Sequence, residues 1–271
     1  MITGTSRGLG AELARLAHDR FGAAVLGIDR SEPSQVGMYE HVRADLATAE
    51  GRERAVVALH EWKPTVLVNC AMTNQSRRVV DTSAALTDEI IGVGFTTPFT
   101  LMREMALSRS QSDDDAWVIN IVSPYRLVGV RTHSLYCAVK AALSRAGESL
   151  GVEVPQNGPL TVVSVVPGAF HSGFRPLEPH DAWLVRTYRT LRRQGPEEVA
   201  ANLVSRLERG TTRRHWTIRL GFDGPAFEVL ARALESDIFL VALDRLIGQR
   251  PAPSSTRNQA ETAHARTGAA R

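Results

Sequence analysis

Apolar positions along this chain alternate between two spacings. Short, nearly unbroken apolar runs occupy residues 23–28, 65–71, 117–122 and 160–166, and read as buried strands. Residues 39–42 supply a shorter third strand, and 215–220 a seventh. Between the runs, apolar residues return every three or four positions, as in Leu9, Leu13, Leu16 and Ala17, with charges on the opposite face. The same spacing predicts helices over 48–62, 134–150 and a long stretch over 82–107 that carries Gly92, Gly94 and Pro98. Strands alternating with helices predict an α/β fold. It is a doubly wound parallel sheet of about seven strands with helices on both faces, in a single domain. That domain is expected over residues 1–248. An apolar helix over 225–246 reads first as core, then as a dimer face, then as a membrane surface. Residues 249–271, rich in Ala, Ser, Thr, Arg and Pro, read as a disordered tail.

Composition narrows the class without naming a chemistry. The 271 residues are 43% apolar and 23% charged, enough for one large domain with a full core. No apolar run reaches bilayer length and no secretory signal precedes the first motif, so a cytoplasmic protein is expected. The two cysteines, Cys70 and Cys137, form no disulfide framework and read as small buried hydrophobes of a reduced protein. The formal charge of +3 comes with no nucleic-acid motif. His133 and His171 lie near the candidate site, but no metal-ligand spacing joins them.

Three stretches carry candidate chemistry. Ser123 ends the 117–122 run, which places a hydroxyl at the carboxyl end of a strand, where open α/β sheets put their ligands. Tyr136 and Lys140 are four apart on a predicted helix and share one face. Near the start, Gly4, Gly8 and Gly10 punctuate a strand-to-helix turn. Such a turn lets the backbone approach a pyrophosphate, with the helix N–H groups aimed at it. Asp29, 19 residues after Gly10, sits where a carboxylate meets a ribose at the end of the second strand.

Taken in order, these motifs resemble the short-chain dehydrogenase/reductase family. Thr3-Gly4-Thr5-Ser6-Arg7-Gly8-Leu9-Gly10 is similar to its Thr-Gly-x-x-x-Gly-x-Gly cofactor turn. Leu67-Val68-Asn69-Cys70-Ala71 resembles its Asn-Asn-Ala-Gly strand, with Cys70 and Met72 departing from it. Ser123, Tyr136 and Lys140 fall on its Ser–Tyr–Lys triad, including the 13-residue gap from Ser123 to Tyr136. Pro167-Gly168-Ala169-Phe170-His171-Ser172 resembles its Pro-Gly-x-x-x-Thr stretch, with Ser172 in place of Thr. The likeness covers roughly residues 1–220.

The resemblance implies a Rossmann fold and hydride transfer between nicotinamide and a secondary alcohol or ketone. Tyr136 is then the general acid/base. Its free pKa of about 10 is lowered by the Lys140 ammonium. Ser123 holds the substrate oxygen and Lys140 the nicotinamide ribose. The implied cofactor contacts are Gly4, Ser6, Arg7, Gly8, Leu9, Gly10, Asp29, Arg30, Asp45, Leu46, Asn69, Ala71, Pro167, Gly168, Phe170 and Ser172, with Tyr136 and Lys140. Asp29 favours NAD, because a carboxylate repels a 2′-phosphate. Arg7 and Arg30 stand where NADP-using members carry basic residues, so NADP is the alternative. Members are often homodimers or homotetramers, with small-molecule substrates. Neither a nucleic acid nor a membrane partner is expected.

Three departures matter. Gly94 stands where the family has an asparagine that holds a proton-relaying water. If that side chain limits turnover, Gly94→Asn raises it. Only Met1 and Ile2 precede the glycine turn, whereas a central strand takes about 5–6 residues. A chain beginning upstream, or a truncated form, is therefore expected. Residues 173–195, rich in arginine, read as a substrate lid, either attracting an anionic substrate or acidic carrier, or presenting a solvated face. Two other outcomes stay open. One is a carrier-bound 3-oxoacyl reductase, epimerase or dehydratase on the same site. The other is a non-catalytic nucleotide-binding partner subunit.

Overall fold

The apolar runs form one parallel sheet. Its strands are β1 (Ile2–Thr3), β2 (Leu26–Asp29), β3 (Glu40–Arg43), β4 (Val66–Asn69), β5 (Ala116–Ile121), β6 (Leu160–Val166) and β7 (His215–Arg219). They lie in the order β3-β2-β1-β4-β5-β6-β7, each pair parallel. The computed structural model describes residues 1–33, 39–73, 76–110, 114–127, 129–130, 132–155, 158–168, 170, 194–209 and 215–220. All fall within one unit, Met1–Arg232. The expected lid (apart from Gln194 and Gly195), Ser172, the 225–246 helix and the tail lie outside the described residues.

Both faces of the sheet are buried, which is why its strands read as continuous apolar runs. Alternate residues enter different cores. Leu67, Val118 and Val162 join one with Leu59, Leu101, Met105 and Leu143, while Val68, Ile119 and Val163 join the other with Leu9, Leu13, Val199 and Leu203. The first core takes α2 (Ala49–Trp62), α4 (Thr97–Arg109) and α5 (Ser134–Glu153). The second takes α1 (Gly8–Phe21) and α6 (Pro196–Glu208).

The long helical stretch expected over 82–107 is present, running without interruption from 84 to 109 and carrying a π-helical turn inside it. A short 3₁₀ turn, Val79–Asp81, precedes α3 (Ala84–Ile91). A π-helical turn, Gly92–Thr96, then leads into α4. Close packing requires glycine where the π turn starts: a Cβ on Gly92 would lie 2.6 Å from the Ala47 carbonyl oxygen. Pro98, which lacks an N–H, sits in the first turn of α4, where none is needed.

β1 is central and paired on both sides, as expected, but only two residues long. Met1 extends the ladder: its carbonyl accepts from Val68 N–H (2.9 Å), and its amine donates to the Val66 carbonyl (2.8 Å). Burial pushes that amine down to about 5, because charge is costly away from water.

The order reverses between β1 and β4, so the loops leaving their carboxyl ends diverge and open a crevice there. Thr3 Oγ1 ties the two loops, accepting from Cys70 N–H (3.0 Å) and Ala71 N–H (3.1 Å).

Candidate active site

At the crevice floor, the glycine turn is built without room for side chains. Gly4 has φ +81°, and a Cβ there would lie 2.7 Å from Ala71 Cα. A Cβ on Gly10 would lie 2.1 Å from the Gly4 carbonyl oxygen. α2 and α3 cap themselves, with Thr48 accepting from Gly51 N–H and Ser83 from Leu86 N–H. The N-terminus of α1 has no side-chain cap and no acidic residue in its first turn. Its free N–H groups and dipole suit an anion.

Asp29 flanks this turn. One carboxylate oxygen accepts from Ser6 N–H (3.1 Å) and the other from Ser31 N–H (3.0 Å), so the group is oriented and half-exposed. Glycine turn, open helix end and oriented carboxylate together fit the pyrophosphate and ribose of a dinucleotide. Leu9 and Leu46 are core residues, so any contact they make with a cofactor runs through backbone. The Leu46 carbonyl is already braced by Thr97 Oγ1 at 2.6 Å. Asp45 is exposed and accepts from Ala47 N–H (3.0 Å). Arg7 is exposed at the start of α1, whereas Arg30 pairs with Glu89 of α3 at 3.2 Å.

The Asn69 side chain turns into the sheet. Its Nδ2 donates to Asn120 Oδ1 (2.8 Å), its in-register neighbour on β5, while its own Oδ1 is buried without a partner. Asn69 therefore holds the two strand ends together, and backbone alone is left to face the crevice. Pro167 and Gly168 are buried just past β6, and Phe170 packs against the second core.

Ser123, Tyr136 and Lys140 converge beside this floor. Ser123 follows β5 and is 7% exposed; its Oγ accepts from Tyr125 N–H (3.2 Å). The Tyr125 ring stands edge-on to Tyr136 (6.2 Å, 87°) and to His133 (6.1 Å, 82°). Lys140, one turn after Tyr136, is 3% exposed, and its Nζ lies 5.8 Å from the Tyr136 ring centroid. That ammonium donates to the Ile121 carbonyl (2.7 Å) at the end of β5. Burial lowers its pKa to about 8, partly offset by Cys70. It is still mostly charged at neutral pH. Burial pushes the Cys70 thiol up to about 12, against the pull of Lys140, so Cys70 behaves as the inert hydrophobe expected.

Two neighbours were not assigned from sequence. Tyr125, two residues past Ser123, links the hydroxyl to the Tyr136 ring; its position was its only signal. Thr132, at φ +63°, lies within hydrogen-bond distance of Ser76 Oγ (2.7 Å) and His133 Nδ1 (3.2 Å). A non-glycine residue held there, four positions before the tyrosine, is strain of the kind that collects at sites.

The space at Gly94 bears on the Gly94→Asn change. A Cβ there would lie 2.9 Å from Val139 Cγ2 and 3.1 Å from Met72 Sδ. Those side chains already fill the space, and Met72 is itself a departure from the family pattern. Gly94→Asn is therefore expected to destabilise by about 1–3 kcal/mol through overpacking, with no rise in turnover. Thermal melts beside initial rates check this. Among the described residues no cluster of three or more His, Cys, Asp or Glu is placed to hold a metal ion, and no helix is long and apolar enough to cross a membrane.

Comparison with known proteins bears on the family and the fold. The 3-oxoacyl-[acyl-carrier-protein] reductase FabG of Rickettsia bellii (strain RML369-C) is 27% identical over 178 residues, covering 64% of this chain and 72% of that protein. A 4-hydroxyisoleucine dehydrogenase structure with NADH and succinate superposes with TM-score 0.68 at 21% identity, over 81% of this chain and 96% of that one. A short chain dehydrogenase of Burkholderia cenocepacia J2315 in complex with NADP gives 0.69 at 22%, over 92% and 96%. At these identities the two structures speak to the fold. The family profile described as short chain dehydrogenase matches residues 1–181. With two thirds of its length under that profile, the chain belongs to the short-chain dehydrogenase/reductase family of oxidoreductases.

Proposed function

We propose that this chain interconverts a secondary alcohol and a ketone with NAD as the dinucleotide. The observation that carries the reading is the buried Lys140 ammonium 5.8 Å from the Tyr136 ring, with Tyr125 touching both that ring and the Ser123 hydroxyl. A nicotinamide bound in the crevice supplies or accepts the hydride. Tyr136 gives a proton to the ketone oxygen, or takes one from the alcohol. Lys140 stabilises the phenolate electrostatically and offers N–H donors to a ribose hydroxyl. Ser123 Oγ, oriented by Tyr125 N–H, donates to the substrate oxygen and sets it against the tyrosine. Asp29 accepts from the adenosine ribose hydroxyls, and the first turn of α1 meets the pyrophosphate. A homodimer or homotetramer is proposed from family habit alone.

The direct test is a panel of secondary alcohols with NAD and ketones with NADH, followed by nicotinamide absorbance. Carrier-bound 3-oxoacyl ketones belong in the panel, given the name of the Rickettsia relative. Turnover of at least one pair is expected. Substrate conversion with no absorbance change would overturn the redox reading in favour of an epimerase or dehydratase.

A further inference from the structure

We infer that Glu89 is a determinant of dinucleotide choice, acting through its ion pair with Arg30; this rests on the reading above that the crevice takes a nicotinamide dinucleotide. Arg30 directly follows the ribose-facing Asp29. Left to itself, its guanidinium is the natural fork for a 2′-phosphate, bidentate and always charged. In this chain Arg30 Nη1 is instead 3.2 Å from Glu89 Oε1. Its backbone is also tied, because the Arg30 carbonyl accepts from Arg43 Nε (3.2 Å). The carboxylate reaches it from α3, and α3 is fixed in place. Ser83 caps its start, its end at Gly92 packs on Ala47, and Thr97 just beyond holds the Leu46 carbonyl.

The charge count follows from these contacts. Asp29, Arg30 and Glu89 sum to one negative charge, which Arg43 on the Arg30 carbonyl offsets; what Glu89 does is occupy the one guanidinium that directly follows Asp29. A 2′-phosphate brings about two more negative charges and must compete with Glu89 for Arg30. A 2′-hydroxyl meets only Asp29 and is indifferent to that contest. Arg7 is exposed and makes no ion pair among the described residues, and Arg43 is held on the Arg30 carbonyl, so the Glu89–Arg30 pair is the contact that a 2′-phosphate has to displace. The pair is partly exposed, with side chains 53% and 29% accessible, which sets a modest size for the effect.

The test is fluorescence titration of wild type, Glu89→Gln, Arg30→Ala and the double variant with NADPH and NADH. Glu89→Gln is expected to tighten NADPH about five-fold and to move NADH by less than about two-fold. The NADPH gain is expected to vanish when Arg30 is also Ala. NADH binding by each variant reports that the fold is intact. An unmoved NADPH-to-NADH ratio, with NADH still bound, would overturn this inference alone. So would a gain that persists without Arg30. A wild type that binds neither dinucleotide would overturn the reading of the crevice itself, and this inference with it.

Discussion

Tyr136→Phe is expected to lower turnover by about 10³-fold while leaving NADH affinity within about two-fold. The substitution removes one oxygen and little else. The ring keeps its edge-on contact with Tyr125 and its place above Lys140. What it loses is the hydroxyl that, in the proposed mechanism, passes a proton to or from the substrate oxygen. Ser123 donates but makes a poor base, because a hydroxyl has no low-lying conjugate anion. The Lys140 ammonium gives one donor to the Ile121 carbonyl and, in the proposed mechanism, offers the others to the ribose. Steady-state rates beside a binding titration separate the two effects. Retained turnover would remove Tyr136 from the mechanism.

Lys140→Met is expected to abolish turnover and yet stabilise the protein at pH 7. An ammonium sealed from water at the end of β5 sits about 2.5 units below its free pKa of 10.5, at about 8. At about 1.4 kcal/mol per unit, holding it charged costs the fold roughly 3 kcal/mol. Methionine fills a similar volume without charge, although it leaves the Ile121 carbonyl unpaired at a cost of about 1 kcal/mol. The net gain is about 1–2 kcal/mol.

The pH dependence has a definite sign. Below about pH 8 both the folded and unfolded chains hold the proton, and the full cost applies. Between about 8 and 10.5 the unfolded chain binds it more tightly, so wild-type stability rises with pH relative to the variant. Denaturant titrations of both proteins at pH 7 and pH 10 check this. A variant that is less stable at pH 7, or one whose pH slope equals that of wild type, would refute it. A residue kept at such a cost is the mark of a site where stability has yielded to chemistry.

Legibility in the sequence followed locality. The glycine turn, the strand ends at Asp29 and Ser123, and the Tyr136–Lys140 pair are set by neighbours within a few residues, and they fell where spacing placed them. Contacts that close across the fold were not readable. Glu89 meets Arg30 from 59 residues away, and Asn69 is drawn inward by Asn120 because β4 and β5 align them in register. The space beside Gly94 is filled by Met72 and Val139, which no local pattern joins. Periodicity read one helical stretch through Gly92, which is what forms, but not the π turn that starts there against Ala47. Leu9 and Leu46 belong to motifs associated with cofactor, but their side chains serve the core. A motif fixes where backbone goes, whereas side-chain direction is decided by what packs against it.

The central claim is that the crevice between β1 and β4 holds a nicotinamide dinucleotide selected by Asp29. Titration of the purified protein with NADH and NADPH, followed by cofactor fluorescence, tests it most directly. Saturable binding of both is predicted, with NADH the tighter. Tighter NADPH binding would contradict the assignment of Asp29 as selector, and a flat response to both would contradict the dinucleotide site itself.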